Sequence, residues 1–240
     1  MKRIIPLKLF FCCLFTLPWA AFSQSNHFID SLKHSIAASR QDSNTAVTMH
    51  YLFNKLVQAG EMKEARAVSD SSLALSERLH FKRGIRFSLN NIGTWYYHKG
   101  NFNEAIRYYK QAYQIAKSVN GFMGMEGSLN NIGVMYMQQG IYDKAMDNFT
   151  QAASIEEAHN LKSEYANTLS NMAEIDQLEK EPAKALELLT KTAQVHSELK
   201  DTSAWAIDIN HMGLNYKDLN QYEKAMDEFR HALVLAVYVV

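Results

Sequence analysis

Nine histidines and two cysteines are the residues of this 240-residue chain best suited to holding a metal or acting as base or nucleophile. Their placement argues against both uses. His27 and His34 stand near the amino terminus, His98 and His211 lie more than a hundred residues apart, and no pair has ligand spacing beside a carboxylate. Cys12 and Cys13 fall within an apolar leader. Glu174 and Asp176 put two carboxylates near one helix face, where a solvated charge is the simpler reading. Gly121, Gly124 and Gly127 are too loosely set for a phosphate-cradling loop. The sequence therefore predicts no metal, no cofactor and no catalytic set.

The side chains that do recur with chemistry to offer are asparagines. Asn90 and Asn91 reappear 40 residues on as Asn130 and Asn131, and the series continues with Asn171 and Asn210. A carboxamide both donates and accepts, so one per structural unit could bind the backbone of an extended peptide without reading its side chains. The same residues could instead bridge or cap neighbouring helices.

The asparagines belong to a longer repeat. Leu89, Ile92, Gly93, Tyr96, Gly100, Phe102, Ala105, Tyr109 and Ala112 return as Leu129, Ile132, Gly133, Tyr136, Gly140, Tyr142, Ala145, Phe149 and Ala152. Leu169, Ala173, Ala185 and Leu189 continue the series, as do Ile209, Gly213, Tyr216, Ala225, Phe229 and Ala232. One step back, Met49, Leu52, Gly60 and Ala65 form a first copy in which Phe53 replaces the small residue and Ser69 the aromatic. Five units follow, at 42–81, 82–121, 122–161, 162–201 and 202–240. Each breaks near its middle into two runs of 3.6-residue periodicity, which predicts two antiparallel helices. Small residues at 93, 133, 173 and 213 are expected to face the alanines at 105, 145, 185 and 225, with the aromatics filling the space between. The run Phe28–Ala38, with Ile29, Leu32 and Ile36 on one face, predicts a cap helix within 24–41.

This pattern resembles the tetratricopeptide repeat family, and in particular its longer, asparagine-bearing branch, which includes kinesin light chains and bacterial peptide-sensing regulators. The resemblance implies an all-α solenoid, a right-handed superhelix of antiparallel helix pairs. The unit is 40 residues rather than 34 and lacks the usual turn proline. The extra length is expected in the links 119–124 and 159–163. The resemblance also implies a concave groove lined by the first helix of each unit. The groove stripe comprises Asn90, Asn91, Thr94 and His98, then Asn130, Asn131, Val134, Met137 and Gln138, then Asn171 and Glu174, then Asn210, His211 and Lys217. Within it, Asn91, Asn131 and Asn171 are the expected peptide ladder. The groove has no Lys or Arg cluster for a terminal carboxylate, so apolar pockets would supply specificity.

Composition narrows the partners. An apolar fraction of 47% excludes intrinsic disorder, and 25 basic residues balanced by 25 acidic ones leave no basic surface for nucleic acid. Lys2, Arg3 and Lys8 precede an apolar stretch from Leu9 to Phe22 that closes on Ala21-Phe22-Ser23. This reads as a signal peptide over 1–23, cleaved after Ser23, with an uncleaved anchor as the alternative. Pro18 is expected to interrupt any helix there. No membrane span is expected after cleavage. At the other end, Val234, Val237, Tyr238 and Val240 make the last helix apolar where earlier second helices are polar. Such a face implies a cover, a partner, self-association or a continuing chain. The function expected is an exported, non-enzymatic scaffold for a protein or extended peptide. The alternative is the sensing ectodomain of a membrane signalling protein with a histidine kinase or DNA-binding output.

Overall fold

A computed structural model describes the backbone of residues 17–237 and the side chains of residues 27–237. Lys2, Arg3, Lys8, Cys12, Cys13, Tyr238 and Val240 lie outside the described residues. Eleven α-helices and no strand occur among those described: α1 (Leu17–Ala37), α2 (Ser43–Gln58), α3 (Met62–Arg78), α4 (Lys82–His98), α5 (Phe102–Lys117), α6 (Phe122–Gln138), α7 (Tyr142–Ala158), α8 (Lys162–Leu178), α9 (Pro182–Glu198), α10 (Thr202–Asp218) and α11 (Tyr222–Val237). None of the described helices is long and apolar enough to cross a membrane. The chain falls into two compact units, one ending at Trp95 and one beginning at Tyr96, within α4.

Every helix from α2 to α10 ends the same way. Gly60, His80, Gly100, Asn120, Gly140, Asn160, Lys180, Lys200 and Asn220 all adopt positive φ, between 51° and 80°. That left-handed residue lets the chain reverse while the following amide reaches back to the helix. Gly100 N–H donates to the Tyr97 carbonyl at 2.8 Å and Asn101 N–H to the Tyr96 carbonyl at 3.0 Å. The link between repeats is identical in kind: Asn120 N–H donates to Lys117 and Gly121 N–H to Ala116, at 3.2 and 2.9 Å. The expected loose links at 119–124 and 159–163 are thus tight turns. The extra length resides in helices of 16 or 17 residues, so the 40-residue repeat is two matched halves of 20. Helix starts are set locally. Asp42 and Thr45 form a reciprocal capping box on α2, while Asn101 and Asp201 cap α5 and α10.

In the first unit, α1 is described from Leu17 and so includes residues upstream of the expected start at 24. Pro18, expected to interrupt a helix there, lies within the described helix. Ile29, Leu32 and Ile36 of α1 pack against Leu52, Phe53 and Leu56 of α2 and Ala65 of α3. Phe53 and Ser69 are both sealed, at 1% and 0% exposure. The first repeat has therefore moved its ring from the second helix to the first, exchanging bulk for bulk.

In the second unit the small residues have a different neighbour from the one expected. A Cβ on Gly133 would lie 2.6 Å from Cε1 of Phe149, and one on Gly213 equally close to Phe229. The glycine is required beneath the ring of the partner helix, so small meets large. Ala145, Phe149, Ile175 and Met137 form one core, and Ala173, Leu189, Ala193, Ile209 and Met212 another.

Candidate functional site

The first helix of each pair carries the expected groove residues, and their environments differ sharply. In the first unit, Asn91 is 3% exposed and its Oδ1 accepts from Nδ1 of His50 at 3.0 Å. The His50 ring stacks on Phe87 at 4.4 Å, with Arg83 and Arg86 against the same phenyl ring. Burial, and then the two guanidiniums, depress the His50 pKa against the opposing effect of Asn91, so the imidazole is neutral and donates from Nδ1. Asn91 is therefore a bridge between consecutive repeats, which corrects its expected exposure in the groove. Asn90 and Thr94 are half-buried, and Asn90 Oδ1 is buried with no donor among the described residues.

In the second unit the asparagines divide by position. Asn130 turns inward, donating from Nδ2 to Glu156 Oε1 at 2.9 Å and to Thr168 Oγ1 at 2.6 Å. Met137 is likewise core, at 7% exposure, and Val134 packs beside it. These positions leave the expected stripe because each lies on the side facing the next repeat. Asn131 of α6 and Asn171 of α8 are half-buried, and no side-chain hydrogen bond within the described residues engages either carboxamide. His211 occupies the same place on α10 and is half-buried. Around them Gln138, Glu174, Asn210 and Lys217 are exposed, as is His98 near the start of the unit. Lys217 lies 3.9 Å from Asp218.

Behind this face runs a series of buried polar contacts between repeats, which the sequence reading missed. Thr168 donates to Glu156 Oε1 at 2.8 Å, and Glu126 shares the same pocket. Burial first and then the Glu156 carboxylate push Glu126 up to about 8, and Glu156 is also raised, chiefly by burial. With Glu126 ionised, Glu156 Oε2 would be a buried acceptor lacking a donor; a proton on Glu126 supplies one. One repeat later, His196 Nδ1 and Asp208 Oδ2 stand 2.6 Å apart, and Ser170 donates to Asp208 Oδ1 at 3.3 Å. This Ser, Asp and His set is not in a catalytic order. The hydroxyl bonds to the acid instead of the imidazole, and His196 and Asp208 are 3% and 2% exposed. Asp176 is also buried, at 7%, which corrects its expected solvation; burial raises its pKa while Lys184 opposes the shift.

Helix pairs locked by a small residue under a ring, at this period, have a family counterpart. Models described as tetratricopeptide repeat match residues 44–118, 127–159 and 209–236. The chain belongs to the tetratricopeptide repeat family. Among solved structures this tetratricopeptide protein is similar to BtubC (BKLC) from P. vanneervenii, at 12% identity and a TM-score of 0.76, covering 91% of this chain and 90% of that one. A signal transduction ATPase with a tetratricopeptide repeat sensor from Pyrococcus horikoshii shares 16% identity at a TM-score of 0.74, over 87% of this chain and 33% of that one. The Cut9-Hcn1 hetero-tetramer of the APC/C shares 14% at 0.64, over 90% and 37%. No curated protein sequence matches the chain.

The missed residues had a usable signal. His50 stands 40 residues before Asn90, and Glu156 and His196 are themselves 40 apart, as are Thr168 and Asp208. Polar residues at matched core positions of this tetratricopeptide array mark where repeats touch.

Proposed function

We propose that the protein is an exported, non-enzymatic scaffold that binds an extended polypeptide across the first helices of residues 96–240. The observation that carries this reading is the pair Asn131 and Asn171, half-buried and one repeat apart, with no side-chain hydrogen bond to either among the described residues. Each carboxamide offers a donor and an acceptor to a peptide backbone, worth roughly 0.5 to 1.5 kcal/mol apiece. Gln138, Glu174 and Lys217 around them favour a ligand of mixed polarity. Export rests on Lys2, Arg3 and Lys8 ahead of the apolar stretch to Phe22. Amino-terminal sequencing of protein recovered outside the cytoplasm tests that step, with Gln24 the expected first residue and an intact Met1 the contrary result.

For binding, a photo-reactive residue at Gln138 should crosslink to a peptide selected on the chain by display, while one at exposed Gln151 of α7 should not. Equal crosslinking at both would remove the reading. In a second reading the same face senses a ligand for a membrane signalling protein; the solved ATPase from Pyrococcus horikoshii likewise carries a tetratricopeptide repeat sensor.

A further inference from the structure

The first unit gathers positive charge on two helices. Neither α2 nor α4 contains an aspartate or glutamate, and together they carry Lys55, Lys82, Arg83 and Arg86. Asp42, Glu64 and Asp70 of the same unit are engaged elsewhere: Asp42 caps α2, Glu64 pairs with Lys33 at 2.8 Å and Asp70 with Arg66 at 3.0 Å. Arg83 is exposed and makes no ion pair among the described residues.

The two arginines converge on one ring. Cζ of Arg83 and Cζ of Arg86 lie 5.3 and 4.4 Å from the centre of Phe87, which also stacks on His50 of α2 at 4.4 Å. Stacking fixes the plane of a guanidinium, and its N–H edge is the fork that matches a carboxylate. Their charge reaches His50, whose pKa is lowered by burial and then by Arg86 and Arg83. The expectation of no Arg cluster on the first helices therefore fails at α4. The surface here is open: Tyr51 and Asn54, both against His50, are exposed, Tyr51 by 58%. A small ligand would keep much of its surface in water, whereas a polypeptide can spread its contacts over both helices. Nucleic acids and anionic membranes are met by rows of cations, and two converge here.

We propose that this face of α2 and α4 docks an acidic segment of a partner protein, whose side-chain carboxylates pair with Arg83 and Arg86 while its apolar atoms lie over Tyr51 and Phe87. Two guanidiniums on one ring favour a segment with more than one acidic residue. The face belongs to the first unit and does not depend on the reading of Asn131 and Asn171.

The probe is a fluorescent peptide of repeated Glu-Leu-Glu-Gly, titrated into the intact chain beside its Gln-Leu-Gln-Gly counterpart at low and at physiological salt. The glutamate peptide should bind at least about tenfold more tightly, and salt should narrow the difference. Arg83→Gln, at an exposed position, should keep the parent melting curve and weaken binding of the glutamate peptide about tenfold. Lys110→Gln, at an exposed position of α5, removes the same charge and should leave binding unchanged. Absence of binding, equal binding of the two peptides, no loss in Arg83→Gln, or the same loss in Lys110→Gln overturns the proposal. So does tighter binding to a DNA oligonucleotide or to phosphatidylserine vesicles than to the glutamate peptide.

Discussion

Thr168 donates to Glu156 at 2.8 Å inside the second unit, beside a Glu126 that keeps its proton to about pH 8. An exposed glutamate in the unfolded chain loses its proton near pH 4.5. The folded state thus binds more protons between these values. The contribution is fully present below about pH 4.5, is lost as pH rises toward 8, and is level above. Glu126→Gln should flatten this loss and stabilise the protein at pH 9 relative to the parent, with the difference changing by at most about 1.4 kcal/mol per pH unit. Urea melts at pH 5, 7 and 9 measure it. A parent and variant that lose stability in parallel would place the proton elsewhere.

Gly133→Leu should cost about 1 to 3 kcal/mol, because the Phe149 ring stands where the new Cβ must go. Thermal melts report the loss. Combining it with Phe149→Ala should recover part of it, and full additivity would show that the ring is not the obstacle.

Lys180 and Lys200 hold φ of 62° and 57°, a conformation that Gly100 and Gly140 adopt without a Cβ penalty. Lys180→Gly should therefore stabilise by about 0.5 to 1 kcal/mol, and Gly140→Ala should destabilise by about 1. Paired denaturant curves with unchanged slopes would establish both signs.

Asn91→Ala should cost about 1 to 3 kcal/mol, since it removes a buried carboxamide and leaves the part-buried Nδ1–H of His50 without its acceptor. Asn171→Ala, at the matching position, should change stability by less than about 0.5 kcal/mol. Equal costs would mean that Asn171 is structural too.

That contrast marks how far the sequence could be read. Helix pairing and core positions such as Ala105, Ile132 and Ala145 follow from spacing, because a repeated apolar residue has one place to go. An asparagine is legible only as a type: Asn91 and Asn171 look alike in the repeat, and what separates them is a neighbour 41 residues away. His50 reaches across to Asn91, whereas Asn130 turns toward Glu156 and leaves Asn171 unclaimed. The tight turns were hidden for a related reason. His80, Lys180 and Lys200 adopt a glycine-like φ that their side chains do not advertise. Likewise, Met137 has an apolar side chain that would suit a groove pocket, and only the packing of α6 on its neighbours places it in the core.

The most direct test of the proposed function is the affinity of a display-selected peptide for the intact chain and for its Asn131→Ala, Asn171→Ala double variant, measured by calorimetry. Two carboxamides lost from a peptide backbone should weaken binding by roughly 5- to 150-fold, with the melting curve unchanged. A folded double variant that binds the peptide as tightly as the parent would contradict the account and leave the asparagines as part of the scaffold alone.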